Sequence, residues 1–145
     1  MNSIKNVNIL IIEDNSTEIK LIKEIVDTEE WKVNFNHVKD GIEAMNYLHQ
    51  KGEYEDCLKP SLILLDLNLP KKSGLEVLKE IKKDEILKCI PVIILTDSTD
   101  DMCMIESYEH HVNAYIVKPA DCDKFKEDIL IFKDFWFNSV QLPTN

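Results

Sequence analysis

No apolar run in this chain approaches the ~18 residues that a membrane-spanning helix needs. The N-terminal stretch Ile9-Leu-Ile-Ile12 is too short for a signal peptide and ends in Glu13-Asp14. Both absences point to a cytoplasmic chain with no membrane partner. The four cysteines, Cys57, Cys89, Cys103 and Cys122, include no CxxC pair, so they read as ordinary thiols rather than a disulfide framework or a zinc site. Positive charge is scarce: 17 Lys+Arg stand against 27 Asp+Glu, for a net charge of -10. That balance argues against nucleic acid and anionic membranes as partners, and is compatible with a cation site or a basic protein. No repeat, low-complexity tract or linker interrupts the sequence. Its 145 residues fit one domain of ~100–200 residues, which excludes two full catalytic domains.

What is present is alternation. Short apolar runs at Val7–Ile12, Leu62–Leu65, Val92–Leu95 and Tyr115–Val117 read as strands buried on both faces of a parallel sheet. Lys32–His37 alternates Val33 and Phe35 with polar neighbours and reads as an edge strand. Between the strands lie helix-period stripes: Ile19, Ile22, Val26; Ile42, Met45, Leu48; Leu75, Leu78, Ile81; a weaker Met102, Ile105, Tyr108; and Phe125, Ile129, Phe132, Trp136. Five strands and five helices in alternation predict a single α/β sheet. Lys51–Pro60 reads as a polar surface loop.

In an open parallel sheet, ligands bind outside the carboxyl ends of the strands. The first strand ends in Glu13-Asp14, the third in Asp66, the fourth in Thr96 and the fifth in Lys118. Clustered carboxylates repel one another unless a cation relieves them, and hard oxygen ligands suit Mg²⁺. A lysine and a hydroxyl beside them could contact phosphoryl oxygens, and an aspartate can itself take a phosphoryl group. Each residue alone has a bland explanation: Asp14 could simply cap a helix, and Lys118 could be a solvated residue before a proline turn. Asp66 amid Leu64-Leu-Asp-Leu-Asn-Leu-Pro70 is harder to explain so, because an unpaired carboxylate among apolar residues is costly.

At Leu10-Ile-Ile-Glu-Asp-Asn15, Leu64-Leu-Asp-Leu-Asn-Leu-Pro70, Leu95-Thr96 and Tyr115-Ile-Val-Lys-Pro119, the chain resembles the receiver domain of two-component response regulators. The resemblance runs from about residue 7 to 137, leaving a short C-terminal tail in a single receiver domain of residues 1–145. The extension before Leu62, the Leu-Pro-Lys-Lys-Ser-Gly stretch and the ending Asp134-Phe-Trp-Phe are most similar to the single-domain regulators paired with phytochrome-type histidine kinases. The family implies a flavodoxin-like (βα)5 three-layer sandwich with a five-stranded parallel sheet. It implies Asp66 as phosphoacceptor for a sensor histidine kinase or phosphotransfer protein. It further implies Mg²⁺ held by Asp14, Asp66 and the Asn68 carbonyl with help from Glu13, phosphoryl contacts from Thr96 and Lys118, and Tyr115 as an aromatic switch. A cis bond at Lys118-Pro119 is implied as well, and so is slow loss of the phosphoryl group at the same Mg²⁺ site.

One departure from the family pattern is Asp97, where a small residue is usual. It either repels the phosphoryl group, hinders donor docking, or points outward with Asp100 and Asp101 at a helix start, and the outward placement is the expectation. His110 and His111, near the end of a helix, are ~100° apart around its axis and so chelate one ion poorly. Lys71-Lys72 reads as a solvated loop. The last helix carries apolar groups on more than one face. This predicts a homodimer through the C-terminal helix region, unless Leu142-Pro143 covers the surplus. Two competing functions remain: a receiver-like interaction module that never takes phosphate, which Asp97 alone favours, and a small aspartyl-phosphate phosphatase, for which no cap domain is evident.

Overall fold

The computed structural model describes residues 5–27 and 31–143. Five strands and five helices alternate: β1 (Lys5–Ile12), α1 (Ser16–Val26), β2 (Trp31–Val38), α2 (Gly41–Leu48), β3 (Leu62–Leu65), α3 (Gly74–Lys83), β4 (Val92–Thr96), α4 (Asp101–Glu109), β5 (Ala114–Val117) and α5 (Cys122–Lys133). All pairings are parallel and the strand order is β2-β1-β3-β4-β5. The order reverses between β1 and β3, which opens a crevice at their carboxyl ends. β2 lies at an edge, as its alternating pattern predicts.

The period of two along each strand divides the core into two layers. Leu10, Ile12, Ile63, Leu65 and Ile94 face α2 and α3, meeting Met45, Leu48, Val77, Leu78 and Ile81. Ile9, Ile11, Leu62, Leu64, Ile93 and Leu95 face α1 and α5, meeting Ile19, Ile22, Val26, Phe125, Ile129 and Phe132. Each such side chain contributes roughly 1.5–3 kcal/mol of burial, so the central strands are the rigid base on which the loops stand. Every helix begins with a side-chain cap: Asn15, Asp40, Ser73, Asp100 and Asp121 each accept a backbone N–H from the first turn.

Two expectations are corrected. The α4 stripe points outward: Met102, Ile105 and Tyr108 are exposed, and only Ser107 of this helix is buried. The short edge strand β5 offers little surface to cover; α4 meets the core through Cys103 and Ser107, and Lys79 Nζ donates to Glu106 Oε1 at 2.9 Å. The Lys118–Pro119 bond is trans. Its lysine N–H donates to the Thr96 carbonyl at 2.7 Å, and three carboxylates hold the ammonium, so nothing offsets the ~0.5–1 kcal/mol preference for trans. Lys71 and Lys72 lie in a loop, Lys71 exposed as expected, and each has an acidic neighbour, Asp40 and Glu80 respectively.

The polar stretch before β3 is anchored to the body. Its short helical turn at Gly52–Tyr54 sets the Tyr54 ring against Tyr47, and Tyr47 Oη donates to the Leu58 carbonyl at 3.1 Å. α4 ends at Glu109, with His110 as its C-cap.

Candidate functional site

Four strand ends deliver side chains to one crevice. Glu13 follows β1 and is buried, Asp66 follows β3 and is buried, Thr96 ends β4 with no exposed surface, and Lys118 follows β5. Asp14 is exposed beside them. The cap of α1 is Asn15, whose Oδ1 accepts from Glu18 N at 3.1 Å, so the helix does not consume the Asp14 carboxylate. One oxygen from each of Glu13, Asp14 and Asp66 lies within 4.8 Å of the others. Three hard carboxyl oxygens that close match the donor set of a divalent cation.

Lys118 is the counter-charge. Its ammonium lies 2.7 Å from Glu13 Oε2, 2.5 Å from Glu18 Oε2 and 3.5 Å from Asp66 Oδ2. Burial alone would lower its pKa, but the hydrogen bonds to Glu13 and Glu18 and the Asp66 charge outweigh that and raise it. Glu18 is the residue that sequence reasoning missed. It sits one turn into α1, a hundred residues from its partner, and in the sequence resembles any solvated helix glutamate.

Asp66 Oδ1 accepts from the Asn68 N–H at 3.2 Å, and Glu13 Oε1 accepts from the Asn15 N–H at 3.2 Å. Thr96 Oγ1 accepts from the Ser98 N–H at 3.3 Å. The Tyr115 ring packs against the core beside Cys103. Its hydroxyl is buried without a formed hydrogen bond, with Ser98 close enough to influence it but outside bonding geometry. Asp97 is exposed, as expected, but it is not free in solvent. Asp100 caps α4, whereas Asp97 Oδ1 accepts from Asn68 Nδ2 at 3.1 Å.

Burial pushes the Glu13 carboxyl from 4.5 up to about 8, the Lys118 hydrogen bond opposing and the Asp66 charge reinforcing the shift. The folded chain therefore holds this proton more tightly than the unfolded chain. The Glu13 contribution to stability is complete below pH 4.5 and is lost as pH rises through about 8. In urea unfolding with chelator present, stability is expected to fall over that window at up to ~1.4 kcal/mol per pH unit. Glu13→Gln is expected to flatten the decline, and an unchanged slope in this variant would assign it to other groups.

The family model for the response regulator receiver domain matches residues 9–130. The chain is 43% identical over 135 residues to the response regulator Rcp1 of Synechocystis sp., covering 93% of this chain and 92% of that protein. Among solved structures it is similar to the phosphorylated cyanobacterial phytochrome response regulator RcpA, with TM-score 0.93 and 43% identity over 96% of this chain and 99% of the other. It is also similar to the Mn²⁺-bound form of Rcp1, with TM-score 0.92 and 42% identity over 95% and 99%.

Proposed function

This chain belongs to the response regulator receiver domain family, and we propose that it accepts a phosphoryl group on Asp66 from the histidine of a sensor kinase or phosphotransfer protein and signals through protein contacts. The observation that carries this is the convergence of Glu13, Asp14, Asp66 and Lys118 at the carboxyl ends of the strands. A carboxylate oxygen of Asp66 attacks phosphorus, the P–N bond to the donor histidine breaks, and the imidazole leaves to take up a proton. Lys118 compensates the charge spread over the phosphoryl oxygens, and the Thr96 hydroxyl donates to one of them.

Glu13, Asp14, Asp66 and the Asn68 carbonyl would hold Mg²⁺. When bound, this ion neutralises the developing negative charge and relieves the carboxylate repulsion. The same residues would assist slow hydrolysis of the acyl phosphate, which resets the switch. Tyr115 is the relay in this reading. A buried hydroxyl without a hydrogen bond costs ~1–3 kcal/mol, so its ring is held with little margin and responds when Thr96 turns toward the phosphoryl group.

The test is phosphotransfer from an autophosphorylated phytochrome-type histidine kinase. Label is expected to move to this chain with Mg²⁺ and not to Asp66→Asn, and label retained on the kinase in both cases would contradict the proposal.

The output surface we propose is a homodimer interface at α5. Ile131 and Phe135 are exposed beside Val117 of β5, where they line a groove of about 540 Å³ with Tyr115 and Trp136. Leu142 packs on the same side of the core as α1 and α5 and does not line that groove. Phe135→Glu is expected to turn a dimer into a monomer in sedimentation equilibrium. A wild-type chain that sediments as a monomer, phosphorylated or not, would contradict this interface.

A further inference from the structure

Among the described residues, the crevice gathers several carboxyl groups around the Lys118 ammonium. Glu13, Glu18 and Asp66 all lean on Lys118, whereas Asp97 does not. No lysine among the described residues forms an ion pair with it; its partner is the neutral Asn68 amide. The strand register explains the pairing. Leu65 lies opposite Ile94, so the continuations of β3 and β4 bring position 68 level with position 97. The hydrogen bond thus ties the loop after Asp66 to the loop after Thr96, and Asn68, whose N–H also donates to Asp66 Oδ1, keeps the Asp97 carboxylate on the acceptor's side of the sheet.

Resting on the phosphoacceptor reading above, we propose that Asp97 is a specificity-determining residue that screens Asp66 from small, free anionic phosphoryl donors and so reserves it for a donor delivered by a docked protein. The physics is field focusing. A charge at the lip of a cleft changes the local concentration of a charged reactant, and that effect weakens steeply with ionic strength. A protein donor gains its local concentration from the area it buries, so the same charge hinders it little. Asn68 supplies the geometry, since without its amide the Asp97 side chain would be free to swing into solvent.

Asp97 is exposed, so its replacement leaves the core intact. Asp97→Asn keeps an acceptor for the Asn68 amide and removes the charge, while Asp97→Ala removes both. Intact-mass time courses of all three proteins with Mg²⁺ and acetyl phosphate, a dianion, at low and high salt separate the effects. Both variants are expected to label about fivefold faster than wild type at low salt, with the gap closing at high salt. With phosphoramidate, a less negative donor, the gap is expected to shrink. Asp97→Asn labelling at the wild-type rate would overturn the screen. A gap that ignores salt would overturn it in favour of a purely geometric role. No labelling of any of the three would overturn the phosphoacceptor reading itself, and the screen with it.

Discussion

Lys118→Ala is expected to slow phosphoryl transfer to Asp66 by ~10²–10³-fold, the cost of removing one preorganised charge donor from a reacting centre. The ammonium is buried and already lies 3.5 Å from Asp66 Oδ2, so no solvent rearrangement is needed for it to meet the incoming oxygens. The same substitution leaves Glu13, Glu18 and Asp66 without their shared cation. Breaking a buried ion pair on one side commonly costs ~3–5 kcal/mol, although Glu18 is partly exposed and its share is smaller. The variant is therefore expected to unfold more easily without metal and to regain much of that loss on adding Mg²⁺, because a divalent cation offsets the same repulsion. Paired measurements of labelling rate and urea stability, with and without Mg²⁺, check both halves. Transfer within tenfold of wild type would mean that Lys118 is structural and does not touch the phosphoryl group.

Gly74→Ala is expected to damage the site from behind. Gly74 opens α3 directly against the strand end that carries the acceptor: a Cβ there would sit 2.1 Å from the Asp66 carbonyl oxygen and 2.6 Å from Leu67 Cα. Both neighbours are backbone, and the Gly74 N–H also donates to the Leu67 carbonyl at 3.0 Å. The strand end or the helix must give way, at a cost of ~3 kcal/mol, near the upper end of typical overpacking penalties. Because the segment displaced includes Asp66 and Asn68, the stabilisation conferred by Mg²⁺ is expected to shrink along with overall stability. Glycine here serves close approach rather than unusual dihedral angles. A variant with wild-type stability and an undiminished Mg²⁺ response would show that α3 can retreat without moving the acceptor.

Much of this could be read from residues alone, for a physical reason. Strands buried on both faces must be apolar throughout, so Leu62–Leu65 and Val92–Leu95 announce themselves. The first polar residue after such a strand is forced to the sheet's rim, which is where the crevice lies. Asp66 and Thr96 were legible on that ground; Lys118 follows β5, which reads as buried on both faces but is a half-buried edge strand. Glu18 was not, because a helix glutamate carries no mark of its long-range partner. The Asn68–Asp97 bond depends on the register of β3 against β4, which hydrophobic pattern does not encode. The outward turn of Met102, Ile105 and Tyr108 was equally hidden, since helical period fixes which residues share a face but not whether that face meets the sheet. Nor does composition reveal how burial shifts Glu13, a balance of desolvation against one ammonium.

The most direct measurement is intact mass after incubation with a small phosphoryl donor, with and without Mg²⁺, for wild type beside Asp66→Asn. One phosphoryl mass gained by wild type only with Mg²⁺, and by Asp66→Asn under neither condition, is the predicted result. No gain by folded wild type or by folded Asp97→Ala, while another receiver domain is labelled in the same mixture, would contradict it and leave the chain a phosphate-independent interaction module.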